Sequence, residues 1–373
     1  MQPAKVYLKG LNSIRFFAAL FVVLWHGHRS LVIAGVYEDN NYAAFRRGAA
    51  GVDLFFTLSG FLITYLLIRE VGQTGTVSIS AFYKRRVLRI WPLYFLCLIC
   101  GLFILTTIVP RITGTTYVEW PIWKVLLLYV FFLPNFASSY CRLGLLAPLW
   151  SIGVEEQFYL SWAPLVKLFS RHVRELLIGA VLVTTAWHFV LNDVLAPYLD
   201  PRLCMFLQTM RFCNMAIGAL FAYVLHFHMQ WYSRSWMARP IGQIALLGGV
   251  LWYFLLGIPA VPPSVMEIIL AFSYGCIFIN VSSLEKSFVN LERQPFTYFG
   301  EISYGLYMYH LYVDYALRYL WQRFSPPVNF VVSAFAYQIL LLLLGIAVAA
   351  ISHRYFESYF LRLGHRPPRK TSL

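Results

Sequence analysis

Asn12-Ser13-Ile14-Arg15-Phe16-Phe17-Ala18-Ala19-Leu20-Phe21-Val22-Val23-Leu24-Trp25-His26-Gly27-His28 is apolar enough to lie in a bilayer, yet it carries an arginine near one end and a histidine near the other. A helix needs about 20 largely apolar residues to cross the hydrocarbon core. Nine further runs of this kind follow, near 51–69, 90–110, 149–168, 174–192, 208–228, 242–258, 264–282, 299–321 and 329–352. The chain therefore reads as all-α, a polytopic membrane bundle of about ten transmembrane helices. Ile122 to Leu133 is shorter and ends at Pro134, which suits an interfacial or re-entrant segment and keeps it out of the count.

Composition agrees. Of 373 residues 60% are hydrophobic and only 12% charged, whereas a soluble domain carries about 25% charged residues. The net charge is +14. With ten spans, Lys5, Lys9, the 69–89 connection, Lys167, Arg171, Arg174, Arg234, Arg239, Lys286, Arg293 and the tail from Arg354 to Lys370 share one side. That side is cytoplasmic by the positive-inside rule, which puts both termini there. The basic balance is thus an orientation signal with an attraction to anionic headgroups, not a nucleic-acid footprint. Residues 1–353 form the membrane domain and 354–373 a basic cytoplasmic tail. Arg15 and His26 interrupt the first apolar run and no small-residue cleavage site follows, so the first helix is read as retained. Cys141 and Cys204 fall toward the outer side, where a disulfide is chemically permitted; no cysteine–histidine spacing suggests a metal.

Ionisable groups inside spans are functional candidates, because their burial costs several kcal/mol unless a cavity or partner receives them. Eleven residues return Arg15 and His26 to within about 20° of one face and separate them by about 16 Å along the axis. Asp53, Glu155, Glu156 and Arg211 fall in the same half of the membrane as His26. A carboxylate accepting a proton from one imidazole nitrogen would make the other a general base, and the sequence leaves open which carboxylate does so. At the opposite end Lys84-Arg85-Arg86-Val87-Leu88-Arg89 opens the third span. Arg86 and Arg89, three apart, suit a phosphate at a helix N-terminus, with Arg85 alongside or simply flanking the membrane. Ser303, Tyr307, His310 and Asp314 form a polar stripe at i, i+4, i+7 and i+11, beside Tyr304. Between Arg111 and Pro148 an outward segment holds Trp120, Trp123, Asn135 and Tyr140, followed by Trp150. These suit stacking on sugar faces, or an interfacial aromatic belt.

With these residues in hand, the chain resembles the acyltransferase 3 family. The resemblance runs through Leu11 to Arg15 and Leu24-Trp25-His26, Gly51 to Phe56 and Leu58 to Ile63, the Phe82 to Pro92 stretch, Leu149-Trp150-Ser151 to Tyr159, Phe299 to His310, and Tyr355-Phe356-Glu357. Asn12 stands where the family commonly has Asp, and Met308-Tyr309 where an aliphatic-aromatic pair is usual. The resemblance implies transfer of an acyl group, usually acetyl from cytoplasmic acetyl-CoA, to a hydroxyl of an extracytoplasmic glycan or lipid-linked sugar. Arg15 and His26 are the essential pair it implies. Arg86 and Arg89 match the paired arginines the family implicates in binding the coenzyme; Arg15 and Arg85 are expected beside them, and no metal is expected. Arg211, or Ser and Tyr hydroxyls, would stabilise the oxyanion. The chain is expected to be a multi-pass protein of a bacterial cytoplasmic membrane, with a homo-oligomer or glycan-assembly partners left open by the sequence. Many relatives carry a further hydrolase-like domain; this chain is expected to act alone or with a partner chain. The competing expectation is a proton-coupled secondary transporter with a midplane polar site, which the same interior charges would suit but for the lack of an internal repeat. A glycan-binding subunit without catalysis would have no use for the paired arginines.

Overall fold

The computed structural model describes residues 8–35, 47–116, 118–141, 143–257, 261–284, 287–324 and 330–364. Gly10, at a φ of 70°, turns the chain into α1 (Leu11–Ile33). α2 is Ala50–Thr74 and α3 Ile79–Phe103, which runs on through a π turn at Ile104–Ile108 to Thr113. The segment read as interfacial folds as two short helices, α4 (Ile122–Val130) and α5 (Pro134–Cys141). α6 (Leu149–Leu168), α7 (Val173–Phe189), α8 (Pro201–Thr209) and α9 (Phe212–Phe227) follow. α10 (Met229–Arg234), α11 (Pro240–Leu255), α12 (Pro263–Ser283) and α13 (Phe296–Glu301) lead into α14 (Ser303–Phe324). α15 (Phe330–Ser352) continues through a π turn at His353–Glu357 into α16 (Ser358–Gly364). There is no strand among the described residues.

Seven helical segments are long and apolar enough to cross a membrane. Three of the ten expected spans fall short, each for a physical reason. α11 has 16 residues, about 24 Å of helix against a core of about 30 Å. α6 carries Glu155 and Glu156, and α14 carries His310, Asp314 and a series of tyrosines, so both are too polar on average. Their polar residues turn inward: Glu156, Ser303, His310 and Asp314 are buried. The outer surface is apolar instead, with Leu182, Val183 and Ile241 at least 65% exposed, as lipid contact requires. Past Arg354 the tail is helical to Gly364 and packs on α3. Lys5, Lys286 and residues 365–373 of the orientation reading lie outside the described residues.

Lipid offers helices no hydrophobic reason to associate, so close packing and interhelical hydrogen bonds must hold the bundle. α2 sits at its centre, against α1, α6, α9 and α12. Gly60 faces the Met215 carbonyl of α9, and Gly218 faces the Thr57 carbonyl of α2; a Cβ on either would collide with the other helix's backbone. Polar ties add to this: Trp162 Nε1 donates to Thr64 Oγ1 (2.8 Å), Tyr312 to the Cys97 carbonyl (2.6 Å), and Gln338 Nε2 to the Leu24 carbonyl (3.0 Å). Asp314 accepts from Ser30 of α1 and from Tyr337 of α15.

Candidate active site

Two cavities open between these helices, one at each end of α1. The first is lined by Arg15 of α1, Arg86 and Arg89 of α3, Ser59 of α2, and Glu155 and Tyr159 of α6, with Glu301 and the Ser303, Tyr304 and Tyr307 positions of α14. The Arg86 and Arg89 spacing on one face of α3 aims both guanidiniums across to Arg15. Asn12, one turn before Arg15, accepts from its Nη1 at 3.0 Å and steadies it without neutralising it. Arg86 stacks between Phe82 and Tyr159, at 6.0 and 5.9 Å, and its buried Nε has no hydrogen-bond partner. Among the described residues none of the three arginines has a carboxylate within 4.0 Å. Glu155 lies in the same cavity but spends its oxygens on Ser59 (3.0 Å) and Tyr159 (2.8 Å). Arg15 and Arg86 are half-buried and Arg89 is exposed, and three like charges converging on one cavity suit an anion. The cavity's volume is about 80 Å³, the smaller of the two.

The second cavity, of about 530 Å³, is lined by Trp25, His26 and Arg29 of α1, Trp150 of α6, Thr209 of α8 and Arg211. His26 Nδ1 lies 3.1 Å from the Val22 carbonyl and 3.2 Å from His310 Nε2. The carbonyls fix the tautomers, since a carbonyl can only accept. His310 Nδ1, 2.5 Å from the Tyr307 carbonyl, must carry a hydrogen, which leaves its Nε2 to accept from His26 Nδ1–H. His26 Nε2 is then the basic nitrogen, in a wall of the cavity, ready to take a proton from a bound hydroxyl.

No carboxylate supports His26 among the described residues, contrary to the expectation for Asp53, Glu155 or Glu156. Asp53 is captured by α9: it accepts from Arg211 Nη1 (2.5 Å) and Asn214 Nδ2 (2.9 Å), and Arg211 also pairs with Glu267 at 3.4 Å. Glu155 belongs to the arginine cavity, and Glu156 faces α3, accepting from Trp91 Nε1 at 3.3 Å. Arg211 lines the histidine cavity with its charge already balanced. Arg85 stands apart from Arg86 and Arg89, exposed and paired with Glu70 at 3.4 Å. Of the described aromatic residues of the outer segment only Trp150 reaches the cavity wall. Asn135 is buried and bonded to Gln157 and Thr209, and Trp123 is exposed. Cys141 and Cys204 are both free, and burial pushes the Cys141 thiol up.

Tyr307 alone among the described residues lines both cavities. Its hydroxyl is 2.7 Å from Ser151 Oγ, so a hydrogen-bonded pair from α6 and α14 stands between the arginines and His26. Ser59, Ser151, Tyr159, Glu301 and Arg29 were not singled out from the sequence. Ser59, Ser151, Tyr159 and Glu301 lie within the stretches that carry the family resemblance, and Arg29 lies at i+3 from His26 on the same helical face.

Residues 8–354 match the acyltransferase 3 family model, described as an acyltransferase domain. The chain is 26% identical to the O-acetyltransferase OatA of Staphylococcus aureus, a match over 98% of this chain and 60% of that protein. It is 23% identical to the peptidoglycan O-acetyltransferase OatA of Listeria monocytogenes, over 82% of this chain and 49% of the relative. With a putative peptidoglycan O-acetyltransferase of Bacillus subtilis the identity is 24%, over 96% and 56%. The chain thus spans between 49% and 60% of the length of these curated relatives. No solved structure matches it.

Proposed function

Since the chain belongs to the acyltransferase 3 family, we propose that it is a membrane O-acyltransferase that moves an acyl group, most simply acetyl, from a donor at the arginine cavity to a glycan hydroxyl at the His26 cavity. The observation that carries this reading is the pair of cavities meeting at Tyr307, one holding three unpaired guanidiniums and the other a histidine with its Nε2 free. Peptidoglycan-directed relatives favour a cell-wall or other extracytoplasmic polysaccharide as acceptor. The arginines favour a phosphate-bearing donor such as acetyl-CoA on the cytoplasmic side. The fuller topology, ten spans in a bacterial cytoplasmic membrane with both termini inside, goes with this reading.

The nucleotide of such a donor would remain at the mouth of the arginine cavity, with phosphates against Arg86, Arg89 and Arg15, while the pantetheine arm threads past Tyr307. The axial rise from Arg15 to His26 is about 16 Å, within reach of that arm. At the far end His26 Nε2 takes the proton of the acceptor hydroxyl as its oxygen attacks the thioester carbonyl. The hydroxyls of Tyr307 and Ser151 would stabilise the oxyanion. When the tetrahedral intermediate collapses, the carbon–sulfur bond breaks and the protonated His26 returns its proton to the thiolate, giving ester and free thiol. His310 would hold the tautomer and share the charge of the imidazolium.

Membranes containing wild type, His26→Ala or Arg86→Ala protein, supplied with labelled acetyl-CoA, test the proposal. Wild type should label glycan, and His26→Ala should lose the general-base contribution, about 10²- to 10⁴-fold. Full transfer by His26→Ala would sink the mechanism.

A further inference from the structure

Taking the His26 cavity as the acceptor's site, which rests on the acyl-transfer reading, we infer that the acceptor is an acidic saccharide whose anion is held by Arg29. Arg29 follows His26 by three residues, so the two side chains leave the same face of α1 about 4.5 Å apart along its axis. The Arg29 guanidinium lies 5.3 Å from the centre of the Trp25 ring. Stacking of this kind orients the planar fork and leaves its N–H groups for a ligand. Among the described residues no Asp or Glu lines the cavity and no carboxylate lies within 4.0 Å of Arg29. The other cation in the wall, Arg211, is spent on Asp53 and Glu267. Among the described residues, then, a guanidinium without a carboxylate partner stands a single helical turn from the base.

Beside a neutral sugar that charge would be answered by solvent alone. An anion on the sugar bearing the reactive hydroxyl, or on its neighbour, would complete it. Trp25 and Trp150 offer faces for the sugar ring, and Thr209 and Gln208 offer polar groups at the opposite wall. A carboxylate and a phosphate ester share the chemistry Arg29 reads, a fork of N–H donors against two oxygens.

Binding separates this inference from acyl transfer itself. Methyl glucoside, methyl glucuronoside and glucose 6-phosphate would be titrated against the protein in lipid nanodiscs, reading tryptophan fluorescence. The charged sugars should bind about ten-fold tighter than methyl glucoside, and the better of the two identifies carboxylate or phosphate. Arg29→Gln should remove most of that advantage and Arg29→Lys should keep part of it. Raising the salt should narrow it, since the side chain is exposed. Equal binding of neutral and charged sugars, or an equal loss for all of them in Arg29→Gln, would overturn the inference. A charge preference that depends on Arg29 in a protein showing no transfer would leave it standing and remove the catalytic reading instead.

Discussion

His310→Ala separates a residue that orients the base from the base itself. In the resting site His310 Nε2 accepts a hydrogen bond from neutral His26 at 3.2 Å, an interaction with a net value of about 1 kcal/mol. Once His26 has taken the acceptor's proton the same bond is charge-assisted and contributes about 1.5–3 kcal/mol. The difference, roughly 1–2 kcal/mol, is what the variant withdraws from the transition state, so kcat should fall about 5- to 30-fold. Donor KM should stay near the wild-type value, because His310 does not line the arginine cavity. The Val22 carbonyl still holds His26 Nδ1 at 3.1 Å and prevents complete loss. Because His310 is fully buried, its truncation leaves a void. His310→Gln is the second variant, whose amide oxygen can accept from His26 and should recover part of the rate. The assay is steady-state acetyl transfer by purified protein in nanodiscs, with kcat and KM resolved for each substrate. A loss as deep as that of His26→Ala, with no recovery by Gln, would make His310 the base. An unchanged kcat would mean that His26 needs no partner.

Arg86→Gln should raise the donor's KM by about 10- to 100-fold, the loss of one charge-assisted phosphate contact. Arg85→Gln, which breaks only an exposed pair with Glu70 worth at most about 1 kcal/mol, should leave it within about two-fold; equal effects would refute the division between them. Asp53→Asn strips Arg211 of its closest partner, and breaking such a buried pair costs about 3–5 kcal/mol. A fall in thermal unfolding temperature in detergent checks this, and an unmoved midpoint refutes it. Gly218→Ala drives a methyl group into the Thr57 carbonyl and should destabilise by about 1–3 kcal/mol or more. The same melt would show a wild-type midpoint if α2 and α9 were free to part.

Much of the site could be read along single helices and little of it across them. The separations of eleven from Arg15 to His26 and of three from Arg86 to Arg89 are statements about one helix and survive folding unchanged. Which side chain on another helix they meet depends on how the helices rotate against one another, and a single sequence does not encode that visibly. The stripe from Ser303 to Asp314 was legible as a stripe. Its division was not: Tyr307 goes to the junction with Ser151, His310 to His26, and Asp314 to Ser30 and Tyr337. Asp53 looked like the support for His26 because both lie at the same depth, but Arg211 and Asn214 outcompete the imidazole for it. Two of the three spans that fell short, α6 and α14, are helices that build the site, since each polar group turned into a cavity lowers its helix's average hydropathy; the third, α11, is short.

The hydrogen-bonded seam of Tyr307 and Ser151 also bears on the membrane the protein would sit in. Two water-accessible pits approaching one another from opposite faces are the makings of a leak, and a membrane that stores a proton gradient cannot tolerate one. The seam's two hydroxyls are hydrogen-bonded to each other at 2.7 Å. The arginines behind it repel protons and small cations from the narrow side. A slender acyl-bearing arm that fills the gap it opens would plug it during each turnover, so the cell could carry out chemistry across its membrane without discharging it.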